Sequence, residues 1–270
     1  MVNKVNKDTT LCISLAARPS NHGVRFHNWL FAELDLNYLY KAVAPVNITQ
    51  AIAGIRGLGI RGAAVSMPYK QEVIELIDGL DPSAERIHSV NTIVNEDGVL
   101  TGYNTDYSAV KSLLASHEID PGLKAAVKGS GGMANAVVAA LADHGISGTI
   151  VARNAETGTA LAERYGWEYA ADVPADAELL VNVTPLGMFG SDADAMAFTH
   201  QEIENASVIF DVVANPVDTP LIKAARTATK ATIDGGEVVA LQAAEQFTLY
   251  TGVVPTDEQV QAAEDFSQLG

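Results

Sequence analysis

The sequence of 270 residues has little cysteine and no long apolar run. Its single cysteine, Cys12, excludes an internal disulfide and a cysteine-rich zinc site. No segment reaches the roughly 18 uninterrupted apolar residues that a membrane-spanning helix requires. The sequence therefore predicts a cytoplasmic protein without a membrane partner.

Positive charge is also scarce, because 17 basic residues stand against 33 acidic ones and the formal net charge is −16. A surface of that sign repels phosphate groups, which argues against nucleic acid and anionic membranes as partners. An anionic small molecule would need a pocket that is locally basic or lined with amide groups. The histidines are scattered, without an HExxH pattern or a Cys/His cluster, so no built-in metal ion is expected.

Apolar residues make up 48% of the chain and recur in alternating strand-like and helix-like segments. Early in the chain TLCISL, YLYKAVA, GAAVSM and VNTIVN have the composition of strands, whereas HNWLFAELD, ITQAIAGIRGLG and YKQEVIELIDGL have helical spacing. From Leu123 the alternation restarts, which indicates a second α/β unit. Two helices are predicted for the tail, the second with Thr256 as its N-cap.

A glycine-rich turn lies in VKGSGGMANAVVAALADHG, between a predicted strand and a predicted amphipathic helix. In a dinucleotide-binding turn, glycines permit the tight bend and let backbone N–H groups approach a pyrophosphate at the helix N-terminus. Gly129, Gly131 and Gly132 suit these roles, and Ala134 is small where a third glycine is often found. A plain strand-to-helix loop has the same outline, but the strand that follows favours dinucleotide binding.

Arg153 stands at the end of the second strand, about 20 residues beyond the glycines, where the cofactor ribose would be recognised. An NAD-binding unit usually presents an acidic residue there, whereas a guanidinium binds a 2′-phosphate through a fork of hydrogen bonds. The sequence therefore predicts NADP. NAD remains an alternative cofactor for two reasons. Glu156 is close to Arg153 in the sequence, and Arg153 also fits an ordinary surface cation.

Two polar residues are candidates for moving a proton. Lys70 follows SMPY at the end of a predicted strand, and Asp106 lies in the polar segment GYNTDY. Oxidation of an alcohol requires a group that takes up the hydroxyl proton, and a lysine oriented by a carboxylate can do so. Asn91 and Gln242 are amides in apolar surroundings and need partners, such as substrate hydroxyls. Taken singly, these residues also fit a solvated helix start, an N-cap and a turn.

Six segments in this order, AVSMPYK, SVNTIV, YNTD, GSGGMA, NVTPLGM and ALQAAEQF, closely resemble the shikimate dehydrogenase family, especially its shikimate dehydrogenase-like branch. The resemblance extends over almost the whole chain. It implies a cytoplasmic, NADP-dependent oxidoreductase of aromatic amino acid biosynthesis. The expected reaction interconverts shikimate, or a close cyclic polyhydroxy acid, and 3-dehydroshikimate by hydride transfer.

The resemblance also implies two α/β domains. Residues 1–106 with 236–270 would form a substrate and catalytic domain, and residues 107–235 a Rossmann-type, doubly wound NADP-binding domain. Lys70 and Asp106 match the catalytic pair of the family. The residues expected to bind substrate are Asn21, Ser66, Asn91 and Gln242, and those expected at the cofactor are Gly129, Ser130, Gly131, Gly132, Met133, Arg153, Thr184 and Gly235.

The chain departs from the family pattern mainly where the substrate carboxylate would bind. When it is aligned on His27 and Asn28, the usual Ser-x-Ser pair is replaced by Asn21 and Gly23. An amide and backbone N–H groups can receive a carboxylate, but by a different arrangement. A second arginine near the cofactor phosphate is replaced by Thr157. Alcohol oxidation is therefore better preserved than the substrate pocket.

Three other functions remain open. The first is a dehydrogenase for quinate or another cyclitol acid that uses NAD, and the second is a ligand-sensing paralogue with little turnover. A role like that of methylenetetrahydrofolate dehydrogenase also needs a lysine and a Rossmann unit, but YNTD and NVTPLGM fit it less well. In each case the expected partner is a small molecule, and the protein is expected to be a monomer or a homodimer.

Overall fold

The structure is a computed structural model that describes residues 5–269. The chain divides into two compact units, of which the first contains the residues up to Thr105 and those from Ala240 onward. The second unit is Asp106–Val239. Both units contain a six-stranded sheet. The roles predicted for the two domains stay a prediction.

The N-terminal part of the first unit alternates strands and helices. The sheet has the order β2-β1-β3-β5-β6-β4, in which the first three of these strands are parallel and β5 is antiparallel to both neighbours. The four segments predicted as strands are confirmed. In chain order the elements are β1 (Thr10–Leu15), α1 (His22–Glu33), β2 (Tyr38–Val43), α2 (Ile48–Gly57), β3 (Gly62–Val65), a 3₁₀ helix (Glu72–Leu76), β4 (Gly79–Leu80), α3 (Pro82–Ile87), β5 (Thr92–Glu96) and β6 (Val99–Tyr103).

The helix predicted over YKQEVIELIDGL is wrong for most of that segment. The chain forms only the 3₁₀ helix Glu72–Leu76 and then turns into β4. The reason is pairing with β6, because the N–H of Asp78 donates to the carbonyl of Leu100 at 2.9 Å and its carboxylate accepts from the N–H of Leu100 at 2.7 Å. The guanidinium of Arg56 donates to the same carboxylate at 2.8 Å. These tertiary contacts override the local helical spacing.

The second unit has an entirely parallel sheet in the order β12-β11-β10-β7-β8-β9. Numbered from its own first strand, this is the 3-2-1-4-5-6 order of the Rossmann fold, which binds ligands where the order reverses. The predicted Rossmann-type, doubly wound fold is confirmed. Its elements are α4 (Thr105–Ser116), β7 (Lys124–Lys128), α5 (Gly132–Asp143), β8 (Ser147–Val151), α6 (Ala155–Tyr165), β9 (Glu168–Ala170), β10 (Leu179–Asn182), α7 (His200–Asn205), β11 (Val208–Asp211), α8 (Pro220–Thr227) and β12 (Ala231–Ile233).

Two helices complete the chain, as the sequence predicts. They are α9 (Gly235–Thr251) and α10 (Asp257–Ser267). Thr256 is the N-cap of α10, where its hydroxyl accepts from the N–H of Gln259 and the side chain of Gln259 accepts from the N–H of Thr256. This capping box satisfies backbone donors that would otherwise lack a partner at the helix start.

An aromatic cluster in the first unit surrounds His27, which is 1% exposed. The imidazole stacks on Tyr40 with 4.4 Å between ring centroids, and the ring of Tyr250 lies 5.8 Å away. Burial lowers the pKa of His27 from 6.5 to about 3, so the ring is neutral near pH 7. The aromatic cluster consists of Phe26, His27, Phe31, Tyr40, Phe247 and Tyr250.

The neighbouring Asn28 joins α1 to strand β2. Its Nδ2 donates to the carbonyl of Tyr40 at 2.8 Å, and its Oδ1 accepts from the N–H of Tyr40 at 3.0 Å. A third bond runs from Nδ2 to the carbonyl of Val24 at 2.7 Å. The side chain of Asn28 therefore pairs with β2 much as a strand residue would.

Cys12 is buried, and burial raises the pKa of its thiol to about 12. A buried thiol with a raised pKa is a core residue of low reactivity. None of the described helices is long and apolar enough to cross a membrane. Across residues 5–269, no group of three or more His, Cys, Asp or Glu is arranged to hold a metal ion.

Candidate active site

Three predicted site residues come together in the first unit, at the end of β3. The N–H of Val65 donates to the carbonyl of Asn91 at 2.7 Å, and Ser66 follows directly. The N–H of Val90 donates to the carbonyl of Lys70 at 2.8 Å. Lys70 is half-buried and lies in the turn before the 3₁₀ helix, not at the start of an α-helix. The turn after β3 is therefore tied by its backbone to the strand that carries Asn91.

Asn91 is 2% exposed and its amide has a fixed orientation. Its Oδ1 accepts from the N–H of Thr105 at 2.9 Å, from the hydroxyl of Thr105 at 3.2 Å and from the hydroxyl of Thr92 at 2.9 Å. A backbone N–H can only donate, so this atom is the oxygen and the amide is not flipped. Its Nδ2 is buried and has no hydrogen-bond partner among the residues described. A buried donor without an acceptor lowers the stability of a protein by about 1–3 kcal/mol.

Helix α9 contributes a glutamine that the sequence did not single out. Gln246 is 4% exposed, and its Nε2 donates to the hydroxyl of Thr92 at 2.8 Å. The predicted Gln242 lies one turn earlier on the same helix and is half-buried. Because residues four apart share a helix face, the second glutamine of ALQAAEQF carried a usable signal.

Asn21 is exposed at the start of α1, and its side chain makes no capping bond to that helix. The next residue, His22, lies with its Nε2 3.0 Å from each carboxylate oxygen of Glu264 on α10. Burial acts to raise the pKa of Glu264, but the hydrogen bond and charge of His22 outweigh it and the pKa is lowered. These hydrogen bonds join α10 to the segment where the family pattern is altered.

Asp106 is the second residue of α4 and is half-buried. An acidic group is favourable in the first turn of a helix, where the N–H groups have no intrahelical partner. It directly follows Thr105, whose N–H and hydroxyl bind Asn91. Lys70 belongs to the first compact unit and Asp106 to the second, so their pairing stays a prediction.

The glycine turn of the second unit has room for a ligand. Gly129 has a φ of +123°, which favours glycine, and a Cβ there would lie 2.8 Å from Cγ2 of Val183. Gly131 and Gly132 are exposed, and a Cβ on either would lie more than 4 Å from the neighbouring atoms that the structure describes. Helix α5 begins at Gly132, with the half-buried Met133 next. Exposed backbone at a helix N-terminus fits a pyrophosphate.

Arg153 is exposed two residues after β8, at the predicted ribose position. Asn154 caps α6 by accepting from the N–H groups of Glu156 and Thr157. The hydroxyl oxygens of Ser130 and Thr157 lie 2.7 Å apart, which joins the glycine turn to the first turn of α6. Where the family has a second arginine, this chain has a pair of neutral hydroxyls.

Thr184 is held by a buried polar network at the ends of β10 and β11. The Oδ1 of Asn182 accepts from the N–H of Thr184 at 3.0 Å and from its hydroxyl at 2.6 Å. Asp211 accepts from Nδ2 of Asn182 at 2.9 Å and from the hydroxyl of Thr219 at 2.7 Å. Burial raises the pKa of Asp211, although these donors oppose the shift. The network fixes the shape of the NVTPLGM turn.

Gly235, predicted at the cofactor, is buried against backbone. A Cβ there would lie 2.2 Å from the carbonyl oxygen of Val213 and 2.6 Å from the nitrogen of Ala214. Close packing therefore explains the glycine by itself. Its contact with a cofactor stays a prediction.

Comparison with known proteins supports the resemblance deduced from the sequence. A family model described as the shikimate dehydrogenase substrate binding domain matches residues 21–93. A shikimate dehydrogenase-like protein of Haemophilus influenzae is 49% identical over 267 residues, which cover 98% of each chain. The shikimate dehydrogenase (NADP(+)) of Moorella thermoacetica is 35% identical and covers 91% of this chain and 90% of its own.

A solved structure supports the same family assignment. A shikimate dehydrogenase in complex with NADP+ superposes with a TM-score of 0.88 at 30% identity, and 97% of each chain is covered. The resemblance stated from the sequence motifs is confirmed. The chain belongs to the shikimate dehydrogenase family, and it is an oxidoreductase of that type.

Proposed function

We propose that the protein is an NADP-dependent dehydrogenase that interconverts shikimate, or a close cyclic polyhydroxy acid, and the 3-dehydro ketone. The observation that carries the proposal is Asn91, whose buried Nδ2 is an oriented donor with no acceptor among residues 5–269. It lies on the strand that is tied to the turn containing Ser66 and Lys70. A ring hydroxyl of a polyhydroxylated ligand supplies the acceptor that this donor needs.

Lys70 and Asp106 are proposed as the catalytic pair. The Nζ of Lys70 takes up the proton of the hydroxyl that is oxidised, and in the reverse direction it returns a proton to the ketone oxygen. The carboxylate of Asp106 orients the amine and the hydroxyl. Ser66 and Gln242 are proposed to bind the remaining hydroxyls. Asn21 is proposed to receive the substrate carboxylate through its amide.

The cofactor is proposed to bind at the glycine turn of the second unit, whose exposed backbone and open space fit a pyrophosphate. A nicotinamide nucleotide held there would supply the acceptor for the hydride that leaves the carbon bearing the hydroxyl. The guanidinium of Arg153 binds a 2′-phosphate. The other proposed contacts are Gly129, Ser130, Gly131, Gly132, Met133, Thr184 and Gly235.

A second candidate is a quinate or shikimate dehydrogenase that uses NAD. The hydroxyl pair of Ser130 and Thr157 favours it, because two neutral hydroxyls replace a cation beside Arg153. A ligand-sensing paralogue with weak turnover is the third candidate, motivated by the altered segment at Asn21. In all three cases a monomer or homodimer in the cytoplasm is the expectation.

The test is turnover of shikimate and of quinate by the purified protein, each with NADP+ and with NAD+, followed by the absorbance of the reduced nicotinamide. Lys70→Met should lower kcat by roughly 10²–10⁴ without changing nucleotide binding. Lys223→Met, at an exposed lysine of α8, is the matched control and should keep full activity. Absence of turnover in all four combinations would refute the proposal and favour the sensor, and an unchanged kcat in Lys70→Met would remove the lysine from catalysis.

A further inference from the structure

Gln246 begins a chain of hydrogen bonds inside the first unit that ends at Asn91. Its Nε2 donates to the hydroxyl of Thr92 at 2.8 Å, and that hydroxyl donates to Oδ1 of Asn91 at 2.9 Å. The N–H of Thr105 donates to the same Oδ1 at 2.9 Å. All four side chains are buried, with exposures of 0–4%. Water therefore does not compete for these bonds.

The direction of every bond in this chain is determined. Nε2 of Gln246 also lies 3.5 Å from the backbone carbonyl oxygen of Asn91. Because a carbonyl oxygen can only accept, the amide of Gln246 is oriented with its nitrogen toward Asn91 and Thr92. The hydroxyl of Thr92 accepts from Gln246, and its single proton is directed to Oδ1 of Asn91. The oxygen of Asn91 is thereby turned into the protein, and its Nδ2 is presented as a donor.

We propose that Gln246 is a positioning residue that sets the polarity of Asn91 through Thr92. This inference rests on the proposed function, in which Nδ2 of Asn91 binds a substrate hydroxyl oxygen. Without the amide of Gln246, the hydroxyl of Thr92 loses the donor that fixes it at 2.8 Å and turns more freely, so one of the bonds that hold Asn91 is weakened. The consequence is weaker binding of a ligand that offers an acceptor to Nδ2.

The binding test uses Gln246→Met, which keeps the length of the side chain and removes its donor, together with Thr92→Val and the double variant. Each single variant should raise the Kd for shikimate about fivefold, and the double variant should show about the same fivefold loss because both changes act on one bond. Gln261→Met, at an exposed glutamine of α10, is the matched control and should leave the Kd unchanged.

The Kd is measured well below the melting temperature of every variant, so a purely structural role would shift Tm and leave the Kd alone. That outcome would overturn the proposal. A double variant with an additive loss of about 25-fold would also overturn it, since the two residues would then act independently.

A second measurement needs no ligand. In ¹⁵N NMR spectra, the side-chain amide resonance of Asn91 should shift in Gln246→Met and stay in place in Gln261→Met. An unshifted resonance in Gln246→Met refutes the positioning role. If the unsubstituted protein binds no shikimate, the substrate of the proposed function is wrong, and the resonance still decides the role of Gln246.

Discussion

Acid should destabilise the first unit through the buried His27. Its folded-state pKa is about 3, because burial disfavours the charged ring, whereas an unfolded histidine has a pKa of about 6.5. The unfolded state therefore binds the proton more readily than the folded state. The stability that depends on neutral His27 is fully present above about pH 6.5 and is lost as the pH falls toward 3.

The size of this effect follows from the two pKa values. One pH unit below the unfolded pKa corresponds to about 1.4 kcal/mol, so the loss at pH 5 is about 2 kcal/mol. Native proteins have stabilities of about 5–15 kcal/mol, and a loss of this size is therefore well within the range of a urea titration. Burial also raises the pKa values of Asp211 and Asp234, and protonation of these carboxyls acts on stability in the opposite direction.

The assay compares the free energy of unfolding at pH 7.5 and pH 5 for the unsubstituted protein and for His27→Phe. Phenylalanine keeps an aromatic ring in the cluster but does not titrate, and contributions from the carboxyl groups cancel in the comparison. The unsubstituted protein should lose about 2 kcal/mol more than the variant. His200→Gln, at an exposed histidine, should keep the full acid sensitivity. Equal losses in the unsubstituted protein and in His27→Phe would refute the reasoning.

Three further outcomes are expected. Arg153→Gln should weaken NADP+ binding by about tenfold or more and leave NAD+ binding nearly unchanged, whereas Thr157→Arg should strengthen NADP+ binding by a similar factor. Both affinities are measured by fluorescence titration. Equal effects of Arg153→Gln on the two nucleotides would show that Arg153 does not recognise the 2′-phosphate. Gly235→Ala should cost about 1–3 kcal/mol of stability, whereas Gly54→Ala, inside α2 with open space around the added Cβ, should cost little. Equal Tm values for the two variants would contradict the packing account. Glu264→Gln should lower the free energy of unfolding by about 1–3 kcal/mol at pH 7, because the carboxylate that accepts hydrogen bonds from its neighbours is lost. This deficit should disappear as the pH falls through the lowered pKa of Glu264, since the unsubstituted protein then loses its carboxylate as well. A deficit that persists in acid would contradict this reasoning.

The alternation of strands and helices could be predicted from the sequence because each element carries its own periodicity. The 3-2-1-4-5-6 sheet of the second unit follows from that alternation, since parallel strands joined by helices on both faces have few arrangements. The segment after Lys70 could not be predicted in the same way. Its conformation depends on the bonds between Asp78 and Leu100, which are 22 residues apart and meet only in the folded sheet.

The candidate site likewise has parts that the sequence predicts and parts that it does not. Local patterns identified the glycine turn and the amide of Asn91, whose apolar neighbours signal a buried polar group. They did not distinguish Gln242 from Gln246, because both lie on one face of α9 and only the register of that helix against Thr92 separates them. The bond between Asn182 and Asp211 also joins two strands across a distance of 29 residues, so no local pattern reveals it.

The pairing of Asn28 with Tyr40 also bears on how the protein resists aggregation. Strand β2 is a six-residue sheet edge, and a long exposed edge is a template for adding a strand from another chain. The backbone N–H and carbonyl of Tyr40 in the middle of that edge are already occupied by Asn28, and the next residue, Lys41, places an exposed charge there. Asn28→Ala would expose the N–H and carbonyl of Tyr40 on this edge. In a concentrated solution we expect such a variant to associate into fibres while each molecule keeps its fold.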